Sequence, residues 1–133
     1  MFLLSLFHHS GGSVDGRKRL QKIVCVMKYK EGVPFSFEFK PYFYGPYSED
    51  LSDVIETLVG AGLLVEAREL IWPSRLVRYR YSLSGKGKEL SDRIVRGFEN
   101  DKIEKKIENT SGDLNALPID ELVYMAKRLP LSK

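Results

Sequence analysis

The stretch LLVEARELIWPSRLVRYRYSL, residues 63–83, decides how the whole chain is read. Leu63 to Trp72 and Leu76 to Leu83 are rich in the β-branched, aromatic and long aliphatic residues that suit a pleated surface, and Pro73-Ser74-Arg75 between them makes a turn. Successive strand side chains point to opposite faces. Val77, Tyr79, Tyr81 and Leu83 therefore share one face of the second run, while Arg78, Arg80 and Ser82 share the other. Together the two runs predict a hairpin with one packed face and one cationic face.

Upstream of it the period changes to that of a helix. Leu51, Val54, Ile55, Leu58 and Val59 lie at i, i+3, i+4, i+7 and i+8, with Ser48 as the N-cap and Gly60 and Gly62 as stop residues. Leu20, Ile23, Val24 and Met27 mark an earlier amphipathic helix, for which Asp15 is the expected N-cap and Gly32-Val33-Pro34 the end. Between the two, Phe35, Phe37 and Phe39 alternate with Ser36, Glu38 and Lys40, which predicts a short half-buried strand, and Gly45-Pro46 turns the chain. Met1 to Phe7 reads as a short N-terminal helix, closed by the turn cluster His8 to Ser13.

Downstream, Ser84 caps a helix carried by Leu90, Ile94 and Phe98, and Ile103 and Ile107 mark a more charged one. A polar break from Asn109 to Asp113 precedes a last helix with Ile119, Leu122, Val123 and Ala126 as its apolar stripe. The sum is an α+β, mostly α chain laid out as a winged helix: three helices, a short strand and a two-stranded hairpin wing over residues 1–98. Residues 99–133 form a helical extension that packs on this unit or makes a dimer contact.

The totals narrow the function. A chain of 133 residues makes one domain, and a net charge of +3 permits nucleic-acid contact without requiring it. The single cysteine, Cys25, excludes an internal disulfide and fits an intracellular setting. Met1 to Phe7 lacks a basic flank and is too short for a signal peptide or a membrane span, so the expectation is a cytoplasmic protein with no membrane contact. No nucleophile–base pattern, paired Cys-x-x-Cys, His-Glu-x-x-His or phosphate loop appears, and His8 and His9 have no further ligands in the pattern. The reading is non-enzymatic, with no cofactor and no metal.

Several motifs carry a resemblance. GRKRLQKIV from Gly16, YFYGPYSEDL from Tyr42 and LVGAGLL from Leu58 resemble the Panacea (SocA-like antitoxin) and YwgA-like group of small prokaryotic proteins, and YSLSGKGKEL from Tyr81 looks like the ending common to many winged-helix regulators. The likeness covers about residues 1–98 and leaves the tail unassigned. It implies a winged-helix-like core with roles in regulation or toxin neutralisation, and no catalysis.

Two surfaces are then candidates. Arg17, Lys18, Arg19 and Lys22 crowd a helix start, where cations oppose the dipole and so lack a stabilising reason. Arg75, Arg78 and Arg80 decorate the hairpin, and Lys86, Lys88, Arg93 and Arg96 follow it. These would meet the phosphates of double-stranded DNA, with the hairpin as a wing. The helix before the hairpin presents Glu49, Asp50, Asp53 and Glu56 and has no Lys or Arg between Ser48 and Gly62. Carboxylate and phosphate repel by ~1 kcal/mol at ~4 Å even in water, so this helix does not read a groove. It is instead a counter-surface for a cationic protein partner such as a toxin.

The expected function is a DNA-binding regulator acting as a homodimer, with an antitoxin-like or adaptor module as the alternative. Seven of the chain's fifteen aromatic residues fall between Phe35 and Tyr47. They are read as the plug of a small core: Phe35, Phe37, Phe39 and Phe43 inside, with Tyr42, Tyr44 and Tyr47 able to lie at its rim.

Overall fold

A computed structural model describes residues 2–131. The elements run α1 (Phe2–His9), β1 (Ser13–Asp15), α2 (Arg17–Tyr29), α3 (Glu49–Gly60), β2 (Leu64–Ile71), β3 (Leu76–Leu83), α4 (Gly85–Gly97), α5 (Lys102–Ala116) and α6 (Ile119–Lys127). The fold class is α+β and mostly helical. The hairpin forms where its pattern predicts, with Glu69 opposite Arg78 and Ala67 opposite Arg80, but the expected packed face is confined to its base: Tyr81 and Leu83 are buried, whereas Val77, beyond the edge of the core, is exposed. Ser48 and Ser84 cap α3 and α4, their hydroxyls accepting from Leu51 N at 3.1 Å and Gly87 N at 2.9 Å.

Four local expectations change. The sheet has a third antiparallel strand in the order β1-β3-β2, because Ser13-Val14-Asp15 pairs with Ser82, Tyr81 and Arg80. Three residues starting at the end of a turn cluster carry no period, so only the buried Val14 hints at this strand. Asp15 is consequently a strand residue and not an N-cap; Gly16, at φ 101°, starts α2 with no side-chain cap. Phe35, Phe37 and Phe39 belong to no strand. The alternation buries Phe35 and Phe39, but no neighbouring backbone offers a ladder, and the nearest pairing is the single bridge between Lys40 and Tyr47. Finally, α5 runs unbroken through Asn109 to Asp113. Thr110 and Ser111 return their hydroxyls to the carbonyls of Lys106 and Ile107, at 2.7 and 2.6 Å, which lets polar residues sit within the helix.

One core joins all of this. Leu3, Leu6 and Phe7 of α1, Leu51 and Ile55 of α3, and Tyr81 and Leu83 of β3 share it with Ile107, Leu114, Leu122 and Ala126 of α5 and α6. At its centre, every residue of α2 from Leu20 to Met27 is buried, where the sequence pattern predicts only one buried face. The surrounding elements close over the other faces as well, which traps Gln21 and Lys22 inside. Between α1 and α5 a buried carboxylate, Glu104, accepts from Ser5 Oγ at 2.9 Å and lies 2.6 Å from His9 Nε2. His9 is therefore engaged with the core side of the molecule.

The first turn of α4 crosses the chain before β2 very closely. A Cβ at Gly87 would stand 2.1 Å from the Leu63 carbonyl oxygen, whereas one at Gly85 meets nothing within 4 Å. Gly87→Ala is expected to lower stability by roughly 1–3 kcal/mol through forced displacement, and Gly85→Ala to leave it unchanged or slightly higher. Urea unfolding of both variants decides. Equal midpoints would show that α4 can shift away without cost.

Candidate nucleic-acid interface

The start of α2, the outer face of β3 and the joint between α5 and α6 enclose a cleft of about 690 Å³. Its lining includes Lys18, Arg19, Arg78 and Arg80, so four of the cations singled out from the sequence converge on one place. Register puts them there: β1 lies beside β3 with Asp15 opposite Arg80, and only Gly16 separates Asp15 from the start of α2. Arg80 Nε donates to Asp15 Oδ1 at 2.6 Å, and this bond, ahead of the general attraction of Arg80, Arg78 and Arg19, holds the Asp15 carboxyl below the usual carboxylate range. Arg78 donates to its cross-strand neighbour Glu69 at 2.9 Å. Both pairs are exposed, and such pairs hold weakly in water, so their guanidinium groups can turn to a stronger anion.

Arg19 is held differently. Its Nη1 donates to the carbonyls of Asn115 at 3.0 Å and Leu117 at 2.6 Å, a cation on the free carbonyls at the end of α5. It forms no ion pair with a carboxylate among the described residues. Lys18 is likewise without a carboxylate, and α2 has no acid in its first turn. Positive charge and an uncapped helix start therefore coincide at the cleft. The Ser10 hydroxyl, on the same wall, is buried with no hydrogen-bond partner among the described residues.

The other predicted cations lie apart. Arg17 turns to the opposite side of α2, where its Nε donates to Tyr81 Oη at 2.7 Å and its Nη2 to Glu66 Oε2 at 3.2 Å, with the guanidinium 4.1 Å above the Tyr79 ring. The Tyr81 hydroxyl, pushed up to about 12 by burial, donates to Glu66 at 2.7 Å; this bond first, and Arg17 second, keeps the Glu66 carboxyl below its ordinary value. Arg17 is a strut of the fold. Arg75 sits at the hairpin turn beside Trp72, and Lys86 and Lys88 are exposed on the first turn of α4, outside the cleft.

Lys22 needs a correction. It is 3 % exposed and donates to the Pro46 carbonyl at 2.7 Å, so it is not available to a phosphate.

The aromatic plug is also only half a plug. Phe35 and Phe39 are sealed, but Phe43 is 86 % exposed and Tyr42 and Tyr44 are 51 % and 62 % exposed. Phe43 belongs outside because Tyr42 to Gly45 is a tight turn: Tyr42 N donates to Gly45 O at 3.3 Å and Gly45 N to Tyr42 O at 3.0 Å, which throws the two middle residues outward. Beneath the turn is a second hollow of about 390 Å³, lined by Arg17, Lys18, Gln21, Lys22 and the loop aromatics. Sequence spacing places only Lys40 near these rings; the fold adds Lys18, whose Nζ is 5.0 Å from the Tyr44 centroid. On α3, Glu49, Asp50, Asp53 and Glu56 are all exposed, and none forms an ion pair among the described residues. No helix among them is long and apolar enough to cross a membrane.

Burial holds the Lys22 ammonium below the ordinary lysine value. Below the folded-state value both states carry the proton and the buried charge costs its full desolvation. Between that value and the unfolded ~10.4 the unfolded chain binds more protons, so stability rises with pH. Wild type should therefore gain on Lys22→Met as pH rises toward ~10, read from urea midpoints. Parallel profiles would show that Lys22 titrates as if in water.

No protein-family model matches the chain. Among curated proteins it is similar to YwgA of Bacillus subtilis (strain 168), itself uncharacterised: the two are 40% identical over 90 residues, 68% of this chain and 52% of that protein. The chain thus spans about half the length of the curated relative it matches. Over that span, the likeness to the YwgA-like group rests on aligned sequence as well as on motifs.

Proposed function

We propose that the chain is a non-enzymatic, winged-helix-like regulator that binds nucleic acid by holding phosphates in the cleft between the start of α2 and the outer face of β3. The observation that carries this is the convergence of Lys18, Arg19, Arg78 and Arg80 on one lined cleft at an uncapped helix start. Two of these cations have no carboxylate partner, and the other two are held only by exposed acids, which a phosphate can displace. The winged-helix reading draws support from the element order and from the sheet order β1-β3-β2, with the hairpin as wing. The acidic α3 is not part of the interface; contact falls to the side of α2 and the sheet.

A salt titration of binding to random duplex and single-stranded oligonucleotides tests this. Log affinity should fall linearly with log salt, by about 0.9 for each duplex phosphate engaged and about 0.7 for each phosphate of a single strand. Arg78→Glu with Arg80→Glu should abolish the affinity, while Lys86→Glu with Lys88→Glu, outside the cleft, should lower it far less. Absence of binding to either form at about 50 mM salt overturns the proposal.

A second reading has its own observation. The four exposed carboxylates of α3 lack ion pairs among the described residues, which suits a cationic protein partner, and the resemblance to the Panacea antitoxins motivates a toxin as that partner. A pull-down from host lysate that recovers nucleic acid and no stoichiometric protein removes it.

A further inference from the structure

The phosphate cleft and the aromatic turn are one continuous surface, because Lys18 lines both. On one side of Lys18 stand Arg19, Arg78 and Arg80. On the other, the Tyr44 ring lies 5.0 Å from its ammonium, and Phe43 meets Tyr44 edge to face at 5.0 Å between centroids.

The turn is rigidly presented. Lys40 and Tyr47 exchange two backbone hydrogen bonds of 2.9 Å, the Tyr42 ring leans on Tyr47 at 5.5 Å, and the Tyr47 hydroxyl bonds Ser52 Oγ at 2.6 Å. From below, Lys22 and Lys127 press so close to Gly45 that a Cβ there would meet them at 3.4 and 3.3 Å. Phe43 and Tyr44, held out of the core on this braced turn, add nothing to the packing that Phe35 and Phe39 already supply. Exposed aromatic surface of this kind marks a contact site.

Its chemistry narrows the ligand. The hollow beneath the rings is mainly apolar and has no carboxylate in its lining; of the cations around it, Arg17 is bound to Glu66 and Lys22 is buried on the Pro46 carbonyl, which leaves Lys18 at its rim. An apolar protein segment would fill the hollow but leave Lys18 and the cations of the adjoining cleft unused. A ligand with flat π-faces and regularly spaced negative charge uses both. In a duplex the base faces are already stacked on one another, whereas an unpaired strand offers them to aromatic side chains.

We infer that the ligand of this surface is an unpaired nucleic-acid strand, with bases stacked on Phe43 and Tyr44 and phosphates running past Lys18 into the cleft. This rests on the phosphate-binding reading above and names its substrate class.

The test compares three probes of about twelve nucleotides, within the usual footprint of strand-binding sites: labelled oligodeoxythymidine, an abasic strand with the same phosphates, and a matched duplex, each followed by fluorescence anisotropy at low salt. Oligodeoxythymidine should bind tighter than the abasic strand and the duplex by roughly 10–100-fold. Phe43→Ala with Tyr44→Ala should bring its affinity down to the abasic level and leave abasic binding and the thermal midpoint unchanged. Arg78→Glu with Arg80→Glu should abolish binding of all three probes.

Equal binding of the abasic and base-bearing strands, or of the duplex and the thymidine strand, overturns the inference while the phosphate reading stands. Silence of all three probes removes both. A wild-type protein that ignores every probe but sediments as a dimer, lost in Phe43→Ala, would assign the turn to a second copy of the chain and overturn the inference too.

Discussion

Two buried polar side chains on α2 fix the address of the loop that matters. The Gln21 amide pairs with both backbone groups of Ser48, donating to its carbonyl and accepting from its N–H at 2.9 Å each, and Lys22 reaches the Pro46 carbonyl. In a dry interior an unpaired amide or ammonium is costly, so these partners are obligatory and their geometry is narrow. The chain from Pro46 to Ser48 is thereby bolted to the helix that is buried on every face from Leu20 to Met27. The aromatic turn just before it and the first turn of α3 just after it inherit their positions.

Gln21 and Lys22 belong to a wider division of labour. Successive helical residues point ~100° apart, so a short run on a buried helix can reach every neighbour in turn. Arg17 braces the sheet through Tyr81 and Glu66, Arg19 ties down the end of α5, and Gln21 and Lys22 hold the loop before α3. Lys18 alone among the run's cations faces open surface on both sides. A basic cluster that reads in sequence as one patch thus splits: Arg17 and Lys22 are struts, Arg19 braces α5 while lining the cleft, and Lys18 borders both hollows. The proposed contact surface is completed from elsewhere, by β3 and by the turn at Phe43.

The elements that carry a regular period were legible. The hairpin, α3 with its Ser48 cap and α6 all follow patterns long enough to survive tertiary context. What escaped did so for identifiable reasons. β1 is too short to show a period, and the phenylalanine alternation reports which side is buried without saying whether a partner strand exists. Asn109 to Asp113 suggested a break because composition ignores the return bonds that serine and threonine make inside a helix. At the candidate site, sequence gave residue types and left direction open. Lys22 looked like its neighbours until the fold closed over it, and Phe43 looked like Phe39 until the Tyr42–Gly45 turn reversed it. The tight turn signal of Gly45-Pro46, one residue from Tyr44, was the available clue.

The hairpin has a practical consequence. Its strands leave the body soon after Glu66 and Tyr81, and the chain's single tryptophan, Trp72, stands 65 % exposed at the far end beside Arg75. Indole emission from this protein should accordingly be that of a water-exposed chromophore in the native state. It would report on whatever touches the flap and stay nearly silent when the interior melts. Denaturation is better followed by circular dichroism, which leaves tryptophan light as a clean channel for contacts at the hairpin tip.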